Sequence, residues 1–205
     1  MKVKIKRCIR IILVATLTWL VLTSISGCVG ELIIPVDTGQ EQDQDIEECS
    51  QNFGSYVCDF KLTDQDGEDF NLYDHRGKII ILDFSAMWCG PCKSAAMSVD
   101  ALVEKFGKEN VVYVTLLIEN SYGEDPSQAD LESWANTYGI NISPVLGASR
   151  EFLSQTGYQV TAWPTFYFID RNMILRDSVV GWSGPLIENH VSKLILEQDT
   201  GLEGS

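Results

Sequence analysis

Two cysteines separated by two residues, Cys89 and Cys92, carry the strongest chemical signal in the chain. A dithiol at that spacing can close to a disulfide and reopen, moving two electrons at a time. Exchange needs a thiolate, whereas an ordinary cysteine keeps its proton up to a pH of about 8.5. The local string Trp88-Cys89-Gly90-Pro91-Cys92-Lys93 follows an apolar run and opens a stretch with helical spacing, which puts Cys89 at a helix start. Unpaired backbone N–H groups and the helix dipole favour an anion there. Cys92 then lies one turn further on, mostly covered, where it can attack a mixed disulfide formed at Cys89. Pro91 sits in a first turn without forfeiting a hydrogen bond.

The elements that must hold this dithiol can be read around it. Lys78 to Phe84 is a nearly continuous apolar run, as expected of a strand covered on both faces. Pro91 to Phe106 places Ala95, Ala96, Val99, Leu102, Val103 and Phe106 at helical spacing, which predicts one helix. Before the strand, Phe60 to Thr63 and Asp69 to Leu72 alternate around Asp66-Gly67, a hairpin signal. After the helix come a buried strand over Val111 to Ile118 and a helix over Ser127 to Tyr138, capped by Ser127 and stopped by Gly139. A short strand at Pro144 to Leu146 and a short helix at Arg150 to Thr156 precede a strand pair, Thr165 to Ile169 and Ile174 to Val180. An amphipathic helix over Leu186 to Leu196 closes the series. This order predicts an α/β fold with a central mixed sheet and helices on both faces.

The first 27 residues read as an export signal. A basic stretch, Met1 to Arg10, precedes an apolar run from Ile11 to Ile25 and then Ser26-Gly27-Cys28. That apolar run reaches only about 22 Å as a helix, short of the roughly 30 Å hydrocarbon core. The Ile25-Ser26-Gly27-Cys28 ending resembles the lipobox of bacterial lipoproteins, which implies cleavage before Cys28 and lipid on its sulfur; an uncleaved anchor is the alternative. Residues 28–48 hold seven acids and no Lys or Arg, and are expected to be a flexible tether. The folded domain is expected over 49–198, with a disordered tail at 199–205. The formal charge is -14, and losing Lys2, Lys4, Lys6, Arg7 and Arg10 with the signal takes it to -19. A surface so negative repels phosphate backbones, so nucleic acid is not an expected partner.

With Cys8 removed and Cys28 lipidated, four thiols remain, an even number that suits an oxidising compartment. Cys49 and Cys58 flank an expected turn at Asn52-Phe53-Gly54 and are expected to form a structural disulfide, with a second redox pair as the alternative. A spacing of nine does not match a zinc ribbon, so no metal and no cofactor is expected. His75 and His190 read as surface residues, and Trp134 with Tyr138 as core.

Trp88 to Lys93 is identical to the active-site string of thioredoxin, and the chain is identified as a member of the thioredoxin superfamily over about residues 56–197. The hairpin around Leu62 to Gly67, and the extra helix-strand unit from Ser127 to Leu146, resemble the TlpA/ResA-like envelope branch. The resemblance implies a cis peptide bond at Trp163-Pro164, facing the dithiol and presenting backbone groups to an extended client. Trp163 is a departure, since many relatives have a smaller residue there. Asp83 lies six residues before Cys89, where thioredoxin has a buried acid that exchanges a proton with Cys92. A purely structural Asp83, paired with the backbone, is the alternative. No basic partner for it is evident between Val111 and Ile118.

The implied activity is thiol-disulfide exchange, with Cys89 attacking, Cys92 resolving, and Trp88, Gly90, Pro91, Trp163 and Pro164 contacting the client. Gly90-Pro91 matches reducing members, which implies cysteine-containing envelope clients and a membrane dithiol carrier as electron donor. The competing reading is a tethered binding module for such clients or for copper. A peroxidase is a third, without the Thr and Arg that a peroxide-reducing cysteine needs.

Overall fold

The computed structural model describes residues 49–200. The expected signal segment, Cys28, the tether to residue 48 and residues 201–205 lie outside the described residues. The elements run β1 (Lys61–Thr63), β2 (Asp69–Asn71), β3 (Ile79–Ala86), α1 (Gly90–Ala96), α2 (Val99–Phe106), β4 (Val111–Glu119), α3 (Gln128–Tyr138), β5 (Val145–Gly147), α4 (Arg150–Thr156), β6 (Thr165–Ile169), β7 (Leu175–Val180) and α5 (Gly184–Thr200). A 3₁₀ turn over Leu72–His75 joins β2 to β3.

β1 and β2 form an antiparallel hairpin, and the other five strands form one sheet in the order β5-β4-β3-β6-β7. β3, β4 and β5 are parallel, while β6 runs antiparallel to both β3 and β7. β3 and β4 are buried at every position, which is why their sequences are nearly unbroken apolar runs. Side chains alternate across the sheet. Ile79 and Ile81 join one core with Val99, Phe166 and Ile187. Ile80, Leu82 and Phe84 join another with Phe60, Leu72 and Tyr167.

Helices cover the two faces unequally. The first core takes residues from α1, α2, α3 and α5, whereas the second is closed by the hairpin, the 3₁₀ turn and Phe152 and Leu153 of α4. The hairpin also seals the β5 end of the sheet. The Gln65 side chain accepts the Val145 N–H at 2.7 Å, and Gln128 donates to the carbonyls of Asp64 and Gln65. α3 begins with a reciprocal cap between Ser127 and Asp130 and ends at Gly139, whose φ of 67° is left-handed and suits a residue without Cβ.

Three expectations need correction. The stretch from Pro91 to Phe106 is two helices, broken at Met97-Ser98, although it contains no breaking residue after Pro91. The Ser98 N–H turns back to the Ala95 carbonyl three residues earlier, which tightens the chain, and Ser98 then accepts the first bond of α2 from Leu102. α5 spans Gly184–Thr200, longer at both ends than the expected Leu186 to Leu196, and no glycine or proline after Pro185 intervenes before Gly201. Neither histidine stands free on the surface. His75 stacks on Phe70, and His190 stacks on Phe168 with Nδ1 3.1 Å from Asp177.

Candidate active site

β3 ends at Ala86, and the chain turns through Met87 and Trp88 into α1. A bulge fixes this exit. Ala86 pairs with Glu119 rather than Ile118, and the Met87 N–H bonds the Glu119 carbonyl at 2.9 Å. Cys89 is the N-cap of α1, with Pro91 in the first turn, and its Sγ accepts the Cys92 N–H at 3.2 Å. This contact puts a backbone donor on the sulfur where a helix start offers one. Cys89 and Cys92 are joined as a disulfide, with Cα atoms 5.3 Å apart. Cys92 is fully buried and Cys89 is 4% exposed. A Cβ at Gly90 would meet no heavy atom within 4 Å, so the chain between the two cysteines borders open space.

Trp163-Pro164 is a cis peptide. Pro164 immediately precedes β6, and Thr165 pairs with Phe84, so the loop lies at the same end of the sheet as the dithiol. The Pro164 carbonyl accepts the Gly181 N–H at 2.8 Å, which ties the loop to the exit of β7. Trp163 and Trp182 pack against the core that contains both cysteines.

Asp83 is 1% exposed and occupies the β3 position two beyond Ile81, so its side chain shares the dithiol face. Its Oδ1 accepts from the Ser85 hydroxyl at 2.7 Å and its Oδ2 from the Tyr113 hydroxyl at 2.8 Å. Burial pushes the carboxyl up to about 7, against the opposing pull of these two donors. Burial, and then the Asp83 charge, holds the Tyr113 hydroxyl well above its ordinary range. The partners are therefore neutral hydroxyls, not a base and not backbone. Within the apolar run of β4 nothing local marks Tyr113; its position two residues before Thr115, the register partner of Asp83, emerges only once β3 and β4 are paired.

A second cluster escaped sequence reading. The Trp88 indole N–H donates to Glu119 Oε2 at 2.8 Å, while Arg150 at the start of α4 pairs with Glu119 Oε1 through two nitrogens. The guanidinium also lies 5.9 Å from the centre of the Trp163 ring. Glu119, at the end of β4, is thus the anchor between a residue beside the dithiol and the residue before Pro164.

Cys49 and Cys58 are bonded, with Cα atoms 4.8 Å apart. Their loop is fixed at the opposite end of the sheet: Gly54 and Val57 donate to the carbonyls of Leu175 and Met173, beside the turn that follows β6. The eight residues of β3 separate the two disulfides by about 25 Å, so one cannot exchange directly with the other. A cavity of about 420 Å³ lined by His75, Lys78 and Ser143 is also at that far end. Among the described residues no group of acidic, His and Cys side chains could hold a metal ion, and no helix is long and apolar enough to cross a membrane.

The sequence profile of the AhpC/TSA family matches residues 53–178. The chain is 28% identical over 142 residues to the thiol-disulfide oxidoreductase ResA of Geobacillus kaustophilus, covering 69% of this chain and 77% of that one. It is 29% identical over 128 residues to the thioredoxin-like protein YneN of Bacillus subtilis, covering 62% and 71%. The crystal structure of the exposed lipoprotein thioredoxin Etrx1 of Streptococcus pneumoniae superposes with a TM-score of 0.56 at 29% identity, covering 67% of this chain and all of that one. The fold is thioredoxin-like.

Proposed function

The chain belongs to the AhpC/TSA family, and from that premise we propose that it is a thiol-disulfide oxidoreductase that reduces protein disulfides in the cell envelope. The observation that carries this reading is the Cys89–Cys92 disulfide at the start of α1, over a buried carboxyl that changes protonation at about pH 7. In the reduced enzyme, the Cys89 thiolate attacks one sulfur of a client disulfide and expels the other as thiolate. Cys92 gives its proton to the Asp83 carboxylate and attacks Cys89 Sγ, which releases the second client sulfur. Two electrons pass to the client and the enzyme disulfide closes. The open space over Gly90, the Trp88 ring and the Trp163-Pro164 loop border the approach of an extended client.

The reducing direction rests on Gly90-Pro91 between the cysteines, and an exported reductant requires a donor, for which a membrane dithiol carrier has the right chemistry. Anchoring through lipid on Cys28 is supported by Ile25-Ser26-Gly27-Cys28 and by the likeness to a protein described as an exposed lipoprotein. Cys49–Cys58 would serve as a structural bridge. Equilibrating the 205-residue chain against dithiothreitol tests the direction. A potential at or below about -250 mV supports a reductant, and one near -120 mV reverses the assignment. The absence of any reversible two-electron couple would leave a binding module.

A further inference from the structure

The Glu119–Arg150 pair joins the two sides of the client approach. Glu119 is 8% exposed in its side chain, and both its oxygens are engaged, one by Trp88 and the other by Arg150. Trp88 is 49% exposed, so its outer ring is available to a bound chain while its N–H is fixed. Arg150 is 68% exposed, yet its guanidinium is held on the Glu119 side and lies against Trp163. An exposed arginine gains little from a surface ion pair, because solvent screens it and side-chain entropy opposes it. Here its partner is buried, and the cation also lies near an indole ring, so both ends of the contact favour one placement.

Resting on the oxidoreductase reading, we infer that Arg150 is a positioning residue for client recognition, which holds Trp163 in register with Trp88 through Glu119. The two indoles are then presented as a pre-formed pair of apolar surfaces, Trp88 next to Cys89 in the chain and Trp163 against the core that contains both cysteines. A rigid ring lowers the ordering cost of binding, and aromatic side chains bury much area with few rotatable bonds. The client class that fits is an extended protein segment with bulky apolar residues flanking its cysteine. Oxidised glutathione, built from Glu, Cys and Gly, carries no bulky apolar side chain to lay on either ring. Loosening Trp163 should therefore weaken binding of a protein disulfide more than it slows the chemistry.

The test compares wild type with Arg150→Met, which keeps an apolar stem, and Glu119→Gln, which keeps an acceptor for Trp88 but loses the charge that holds Arg150. Reduction of insulin and of oxidised glutathione is followed with the whole chain. In both variants kcat/KM for insulin should fall about fivefold relative to that for glutathione, through KM rather than kcat. Combining the two substitutions should add little, since they break one unit. Arg150→Lys, with charge but no planar fork, should restore part of the insulin KM. An unchanged insulin KM in Arg150→Met overturns the inference, as does a loss shared equally by both substrates. A wild-type chain inactive on both overturns the oxidoreductase reading itself, and the inference with it.

Discussion

Tyr113 on β4 donates its hydroxyl proton to Asp83 on β3 across 2.8 Å, inside the face of the sheet that carries the dithiol. Hydrogen bonds to a carboxylate stabilise its charged form, so this donor holds Asp83 below where burial alone would put it. Tyr113→Phe removes the bond at little cost in volume. The Asp83 carboxyl should then titrate about one unit higher than in the wild type. The pH at which client reduction reaches half its maximum should move the same way. Carboxyl-carbon NMR titration checks the first, and a rate profile over pH the second; an unmoved titration would remove Tyr113 from the account.

Asp83 also links stability to pH. The unfolded chain releases this proton near 3.8 and the folded chain at about 7, so between those values the folded state holds the extra proton and stability falls as pH rises. The accumulated cost is about 4 kcal/mol, constant above the folded value. Asp83→Asn should be more stable than wild type by about 2–4 kcal/mol at pH 8, and the advantage should vanish toward pH 4. Urea denaturation at both pH values measures it. An advantage independent of pH would contradict a raised carboxyl pKa. Client reduction at pH 8 should be slower in this variant, since Cys92 loses its proton acceptor.

The order of attack predicts an asymmetry between the two cysteines. Cys92→Ser should accumulate a mixed disulfide between Cys89 and the client, visible as a mass increase that dithiothreitol reverses. Cys89→Ser should not, because Cys92 is fully buried at the inner side of α1. Equal trapping by both variants would sink the assignment of Cys89 as the attacking thiol.

The Cys49–Cys58 bridge closes a ten-residue loop at the end of the sheet remote from Cys89. The double substitution to Ser should destabilise the domain by about 2–3 kcal/mol in the chain-entropy model. Insulin reduction well below the melting temperature should be unaltered. A large fall in the rate there would show that the bridge takes part in exchange.

Anchoring has its own test. Cys28→Ser should move the chain from the membrane fraction to the soluble one while leaving the domain's melting temperature unaltered. Retention in the membrane would favour an uncleaved N-terminal anchor.

How much of this could be read in advance depended on the range of the interaction. β3 and β4 were legible because each is covered on both faces, so the apolar run is itself the strand. The start of α1 was legible because Cys89, Pro91 and Cys92 each suit one position of a first turn. The break at Met97-Ser98 was not, since nothing in the composition marks it and a single backward hydrogen bond makes it. Tyr113 and Glu119 were invisible for a different reason. Tyr113 lies 30 residues from Asp83, and Glu119 lies 31 from both Trp88 and Arg150. Their meetings depend on strand register, and for Glu119 on a bulge that skips one residue. No local pattern encodes such pairings.

The bridge at the base of the sheet has a mechanical consequence. Any pull exerted on the chain ahead of Cys49 arrives at that residue and crosses the sulfur–sulfur bond directly to Cys58. The eight residues between them carry no load, so the Gly54 N–H bond to the Leu175 carbonyl, the Leu175 N–H bond to the Ser55 carbonyl and the Val57 N–H bond to the Met173 carbonyl are not peeled one after another. Force enters the domain at Cys58, just before the hairpin, and is borne at the end of the sheet remote from the exchanging dithiol.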